Sequence, residues 1–205
     1  MKRALLALTL AAALPFAAAN AAEGVSYNYV EAGYAKTDGK NSFNDGDGWA
    51  INGSYAFHPN FHVFGGYSKQ ETDSYTINGG PIFGSVRIPG HDVDQWNVGV
   101  GYNHELTKRV DLVTRVAYQQ NKDDGRWDEK LKGGSVEAGV RGTLTPNWEG
   151  YAFAGYQDYD KHYDGEFYGR IGTQVKFNQN WGITADAKFI DGGQKEFFIG
   201  PRFSF

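Results

Sequence analysis

The chain has 205 residues, 28 glycines, 5 Trp, 13 Tyr, 14 Phe and no cysteine, with 20 basic against 24 acidic side chains for a formal net charge of -4. That length suits one domain, and the missing cysteine excludes disulfides, thiolate metal sites, a cysteine nucleophile and a lipoprotein anchor. A single long apolar run excludes a polytopic helical membrane protein, no strongly basic patch points to nucleic acid, and glycine with aromatics is a β-rich composition.

The apolar run comes first. Lys2 and Arg3 precede an apolar stretch from Ala4 to Phe16, interrupted by Thr9 and broken by Pro15. Ala19-Asn20-Ala21 then places small residues at -3 and -1 of a cleavage site. This pattern predicts a secretory signal peptide over residues 1–21, too short to cross a ~30 Å hydrocarbon core, and an exported, more acidic domain over 22–205.

From there the hydrophobic pattern has period two. One face of each predicted strand reads Val30, Ala32, Tyr34; then Trp49, Ile51, Gly53, Tyr55, Phe57; then Phe61, Val63, Gly65, Tyr67. Next come Trp96, Val98, Val100, Tyr102; Val110, Leu112, Thr114, Val116, Tyr118; and Val136, Ala138, Val140, Leu144. Trp148 to Tyr156, Ile171 to Phe177, Trp181 to Phe189 and Phe197 to Phe205 complete ten segments, each apolar on one side.

Three connections share one design: Phe57-His58-Pro59-Asn60-Phe61, Leu144-Thr145-Pro146-Asn147-Trp148 and Phe177-Asn178-Gln179-Asn180-Trp181. Three turn formers between two large apolar residues predict that the flanking pair meets across the strands, at one end of the sheet. A short turn around Thr107-Lys108 joins the series. The alternate connections, Lys36 to Gly48, Ser68 to Gln95, Gln120 to Gly133 and Asp158 to Glu166, read as long polar loops, and only Asp191-Gly192-Gly193 is tight.

Short turns at one end, long loops at the other and aromatics at the strand ends predict an all-β fold. It is a transmembrane antiparallel up-and-down β-barrel of ten strands, eight being the alternative, with periplasmic turns and extracellular loops. A secreted β-sandwich competes, and the second face of the strands decides. That face carries Glu31, Asp111, Arg115, Glu137, Arg141, Arg170, Gln174, Lys176, Asp186, Lys188 and Arg202. Lys or Arg facing lipid costs ~2–4 kcal/mol at the midplane, so these side chains belong in a lumen. Counting from the turns puts Glu31, Arg115, Arg141 and Asp186 in one layer, and interleaved signs favour a structural network over an ion path. Phe57, Phe61, Trp148, Phe177 and Trp181 form the predicted aromatic girdle at the turn end. Tyr151 and Phe153 face inward in the register that pairs the flanking aromatics.

The last eight residues, Phe198-Ile199-Gly200-Pro201-Arg202-Phe203-Ser204-Phe205, resemble the C-terminal insertion signal of bacterial outer-membrane barrels, carried by Gly200, Phe203 and Phe205. Phe198 departs from the usual polar residue at its position. The resemblance implies hand-over to the outer-membrane assembly machinery. The segment from Ala22 to Glu31, with the leader before it and the Pro-Asn-aromatic turns, is similar to a family of small xanthomonad outer-membrane proteins linked to diffusible-signal-factor regulation. More broadly, the chain resembles OmpA- and OmpX-like barrels. Members of the xanthomonad family were proposed as quorum-sensing or plant-immunity signals through their tyrosine-containing N-terminus. In this sequence Tyr27 to Tyr34 reads as the first strand of a closed sheet, and extracting it would expose two unpaired edges.

Catalysis has one candidate constellation. Asp92-Val93-Asp94 and Asp160-Lys161-His162 are similar in spacing to the acidic pair and Asp-His pair of omptin-like outer-membrane proteases, against which stands solvated loop charge. His58, His62 and His104 share no ligand spacing, and Asn44-Asp45-Gly46-Asp47-Gly48 lacks the later glutamate of a calcium loop. The expected protein is therefore a monomeric, cofactor-free and metal-free non-enzyme. Its surface or envelope-structural role runs through loops whose Phe43, Tyr75, Phe83 and Trp127 could contact lipopolysaccharide, a surface or a host partner. The alternative is a narrow pore for small solutes.

Overall fold

The computed structural model describes residues 22–40, 45–78, 84–124, 129–160 and 164–205. The leader over 1–21 and the loop residues Phe43, Asn44, Phe83, Trp127, Lys161 and His162 lie outside the described residues, as does the Tyr75 side chain. Among the described residues the strands are β1 (Tyr29–Asp38), β2 (Gly46–His58), β3 (Phe61–Thr72), β4 (Tyr75–Asn78), β5 (Ser85–Ile88) and β6 (Asp92–Thr107). They continue with β7 (Val110–Asp123), β8 (Glu129–Thr145), β9 (Trp148–Tyr159), β10 (Glu166–Lys176), β11 (Trp181–Ile190) and β12 (Lys195–Ser204). Ten of them close into one antiparallel barrel in which β12 pairs with β1, while β4 and β5 form a separate two-stranded hairpin.

Alternation sets which side of the wall each residue faces. Val98, Val100, Val116, Tyr118, Val140, Ile171, Ile183 and Ile199 all stand exposed on the outside, a continuous apolar band that only hydrocarbon accommodates without cost. Glu31, Asp111, Arg115, Glu137, Arg141, Glu149 and Arg202 are buried on the inside.

The short turns keep this alternation in step by a common device. In β2–β3, Ala56 pairs with His62 and His58 with Phe61, so Phe57 is a bulge before a two-residue Pro59-Asn60 turn. The same shift occurs at Leu144 between β8 and β9 and at Leu106 between β6 and β7. One bulged residue plus two turn residues restores the offset of a three-residue loop, so the flanking aromatics still meet, with Phe57 and Phe61 ring centroids 6.3 Å apart.

Three sequence expectations are corrected. The loops are shorter than expected, because pairing continues past the apolar band: Lys36↔Asp47, Lys69↔Asp94 and Gln120↔Lys132 are all strand pairs. There the outer face turns charged, with Lys69 paired to Asp92 at 2.7 Å, so the wall extends where water replaces lipid. Gly46 to Gly48, read as part of a polar loop, begin β2, and the longest loop carries the β4–β5 hairpin. Finally, β1 begins at Tyr29 rather than Tyr27, and the residues before it enter the barrel.

The seam between first and last strands depends on two glycines. A Cβ on Gly200 would lie 2.2 Å from the Ala32 carbonyl oxygen, and one on Gly33 would lie 2.1 Å from that of Ile199. Only hydrogen at both positions lets β1 and β12 approach.

Candidate functional site

Among the described residues, the lumen gathers polar chemistry in a confined space. Its half nearer the short turns is filled. Residues 22–28 fold inward, so that Ala22, Val25 and Tyr27 pack against Val113 of β7 and Phe153 of β9 as a small apolar core. Gly24, at φ 82°, makes the turn, closed by the Val25 amide donating to the Ala22 carbonyl at 3.0 Å. The segment is tied to the wall. The Glu23 amide donates to the Lys108 carbonyl at 2.8 Å, the Thr143 hydroxyl donates to the Glu23 carbonyl, and Lys176 Nζ donates to the Gly24 carbonyl.

Tyr27 is the centre of this plug. Its ring stacks on His62 with centroids 4.6 Å apart, Arg141 lies 5.0 Å from its centroid, and its hydroxyl donates to Asp111 Oδ2 at 2.9 Å. Burial raises the Tyr27 pKa far above its ordinary value, so the hydroxyl keeps its proton and serves as a donor. Gly101 makes the room for His62, because a Cβ there would sit 2.2 Å from the ring Nε2.

Above the plug, the predicted lumen charges resolve into separate pairs. Arg202 donates to Glu31 Oε2 at 2.6 Å and to Gln174 at 3.3 Å. Arg115 pairs with Glu137 at 3.2 Å, and its guanidinium lies 5.2 Å from the Phe64 centroid and 5.1 Å from that of Phe153. Tyr168 adds a hydrogen bond to Glu137 at 3.1 Å. Arg170 pairs with Asp186 at 2.8 Å while Tyr151 donates to the same carboxylate at 2.6 Å. Lys188 donates to Gln157 at 2.8 Å and lies 3.5 Å from Glu196.

The expected single layer of Glu31, Arg115, Arg141 and Asp186 does not form. In the β7–β8 register Arg115 stands opposite Glu137, whereas Arg141 stands opposite Asp111, four residues nearer the turn. Counting from turns ignores the stagger that closure of a tilted barrel imposes. Arg141 instead grips Glu149 at 2.8 Å, with Lys176 on the other carboxylate oxygen at 2.5 Å. Glu149 and Tyr27 are among the lumen residues that sequence reasoning missed, whereas His62 was legible as the first inward position of β3. Glu149 was legible as the inward position beside Trp148, but one carboxylate next to a turn looks like surface charge.

The half nearer the long loops is open. A cavity of about 180 Å³ rests on the Arg115–Glu137 pair and is lined upward by Asn52, Gln70, Gln95, Asn97, Gln119, Ser135, Lys188 and Glu196. Five carboxamides share it with charged side chains, of which Arg115 and Glu137, Arg170 and Asp186, and Lys188 and Glu196 are paired with one another. The acidic residues of the protease-like spacing sit elsewhere: Asp92 is in its ion pair with Lys69, and Asp94 accepts from the Tyr67 hydroxyl at 2.7 Å. Asp160 accepts from the Lys132 amide at 2.8 Å.

The outer rim carries aromatics at both ends. At the turn end Trp181 packs on Phe203 at 5.0 Å, Phe203 on Phe205 at 6.2 Å, and Trp148 donates its indole N–H to Thr173. Phe177 stands exposed beside them. At the other end Trp49–Tyr67 and Trp96–Tyr118, each at 5.4 Å, mark a second girdle.

A family model described as Gram-negative porin matches residues 6–124. No curated protein sequence matches the chain. The NanC porin structure superposes with a TM-score of 0.51 at 11% identity, over 86% of this chain and 100% of that one. The translocator domain of the autotransporter NalP from Neisseria meningitidis gives 0.50 at 9% identity, over 100% of this chain and 95% of that one. The KdgM porin in complex with disordered oligogalacturonate gives 0.46 at 14% identity, over 86% of this chain and 99% of that one.

Proposed function

This chain belongs to the Gram-negative porin family, and on that premise we propose that it acts as a surface and envelope-structural barrel whose lumen is closed and whose working surface is the extracellular rim. It resides in the outer membrane, with the short turns toward the periplasm. The observation that carries the reading is the plug. His62 is 0% and Tyr27 3% exposed, so no water reaches the ring stack that seals the periplasmic half.

In this reading the loops, with the β4–β5 hairpin, contact lipopolysaccharide, a surface or a host partner, in an adhesive or virulence-linked role. The narrower kinship with the small xanthomonad barrels belongs to it as well, supported by the Ala22 to Glu31 segment and the Pro-Asn-aromatic turns. A peptide-signal or quorum-sensing role for that segment is disfavoured, because Tyr27 is buried in the lumen. Catalysis is disfavoured too, because Asp92 and Asp94 are engaged on the rim by Lys69 and Tyr67.

A narrow pore for small solutes is the second reading, favoured by family membership and by the amide-lined vestibule. Planar-bilayer recording separates the two. Silence or rare small openings is the expected result, and steady conductance at the level of a general porin overturns the closed-lumen reading. Deleting residues 74–89 should then abolish binding to lipopolysaccharide or cell surfaces while the barrel stays folded, since β3 and β6 pair with each other without the hairpin. Binding that survives the deletion would move the working surface to another loop.

A further inference from the structure

The lumen carboxylates differ in what neutralises them. Glu31 has Arg202, Glu137 has Arg115, Asp186 has Arg170, and Glu149 has both Arg141 and Lys176. Asp111 is as deeply buried as any, at 0% exposure, yet among the described residues no ion pair reaches it. Arg141, its neighbour in the β7–β8 register, turns its guanidinium to Glu149. The two Asp111 oxygens accept instead from the Tyr27 hydroxyl and from the Ala22 nitrogen, the latter at 2.9 Å from Oδ1. A dry carboxylate held only by neutral donors is costly, and side chains that deep are ordinarily paired.

The Ala22 nitrogen is also the atom that a leader cleavage would free, since Ala19 and Ala21 are small residues at -3 and -1 of the Ala21–Ala22 bond. We infer that Asp111 is a receptor site for a primary ammonium, the α-amine of Ala22, and that leader removal completes the plug by supplying its missing positive charge. Water adds across the Ala21–Ala22 peptide bond; its oxygen goes to the Ala21 carboxylate and its two protons to the Ala22 nitrogen. That nitrogen, already against Asp111, changes from a neutral amide donor into a cation. The contacts of Glu23 and Gly24 with Lys108, Thr143 and Lys176 hold the new terminus in place. Seating of the plug is thereby coupled to processing, whether or not the lumen conducts.

The test uses protein isolated from outer membranes, sequenced from its N-terminus, unfolded, and refolded in detergent. Half is α-acetylated with anhydride while still unfolded, before refolding, at slightly acidic pH, where lysine amines are protonated. Hydrogen exchange of the 22–28 segment is then read by mass spectrometry in the wild type and in Asp111→Asn. Acetylation should speed exchange of that segment at least tenfold in the wild type, Asp111→Asn should do the same, and acetylating the variant should add nothing. If Asp111→Asn does not refold, the wild-type pair alone decides. A mature terminus other than Ala22, no effect of acetylation on the wild type, or equal effects in both proteins would each overturn the assignment.

Discussion

Replacing Arg141 by Met tests whether the periplasmic half of the lumen is dry. Arg141 is 2% and Glu149 1% exposed, and the guanidinium holds Glu149 Oε2 through Nε at 3.1 Å and Nη2 at 2.8 Å. Removing one partner of a buried pair costs about 3–5 kcal/mol, because the other charge is left uncompensated. Lys176 stays on the second Glu149 oxygen, which places the expected loss near the lower end, at about 3 kcal/mol. Losing the cation over the Tyr27 ring, now 5.0 Å away, adds about 0.5–1 kcal/mol. Urea unfolding in detergent micelles, followed by tryptophan fluorescence, measures the loss. Glu149→Gln should cost a similar amount by stranding Arg141, and the double variant should cost about 2 kcal/mol less than the two single losses added. Strict additivity, with Arg141→Met within about 0.5 kcal/mol of wild type, would mean a wide and wet lumen, and would refute the reasoning.

Deleting residues 22–27 removes the plug without touching a barrel strand, so the heat-modifiable folded band should persist while bilayer traces change from near silence to frequent small openings; traces that stay silent would show that the wall side chains alone close the lumen. Gly200→Val places a Cβ against the Ala32 carbonyl and should destabilise the β1–β12 seam by about 2–4 kcal/mol through overpacking and lost ladder bonds, seen as a falling folded fraction on refolding. Gly53→Ala is its control, since the nearest atom to a Cβ there is 3.6 Å away, and a change of under about 1 kcal/mol is expected.

The wall was legible because one rule governs it. Period-two alternation, with Val98 and Val100 outside and Arg115 and Glu137 inside, needs only the residue sequence to assign faces, and the Pro-Asn turns fix where each strand reverses. Strand ends were not legible by the same rule. Past the apolar band both faces are polar, so Lys69 opposite Asp94 carries no alternation although its backbone stays paired. Pairing among the lumen charges was also hidden, because it depends on stagger between strands, which set Arg141 beside Asp111 and within reach of Glu149. The plug was misread for a related reason: Tyr27, Tyr29 and Glu31 share one face and continue the alternation of β1. Nothing local distinguishes a strand from an extended segment that turns into the lumen.

The distribution of charge along the lumen bears on which end can do work. A solute entering from the long-loop end meets carboxamides at Gln70, Asn97 and Gln119, then the Arg115–Glu137 floor. Both signs are present there in contact distance, so the field they project into the vestibule largely cancels and offers little selectivity for either anions or cations. Passage beyond the floor would have to separate Arg115 from Glu137 or lift Tyr27 from His62, and all four side chains are buried, so breaking either contact is costly. The plug contacts are fewer than the wall contacts and come from a segment outside the ladder, so they, and not the ion pairs of the wall, are where any opening would begin. A closed barrel acting through its rim and a gated pore therefore differ at a single element, the seating of residues 22–28 beneath Arg141.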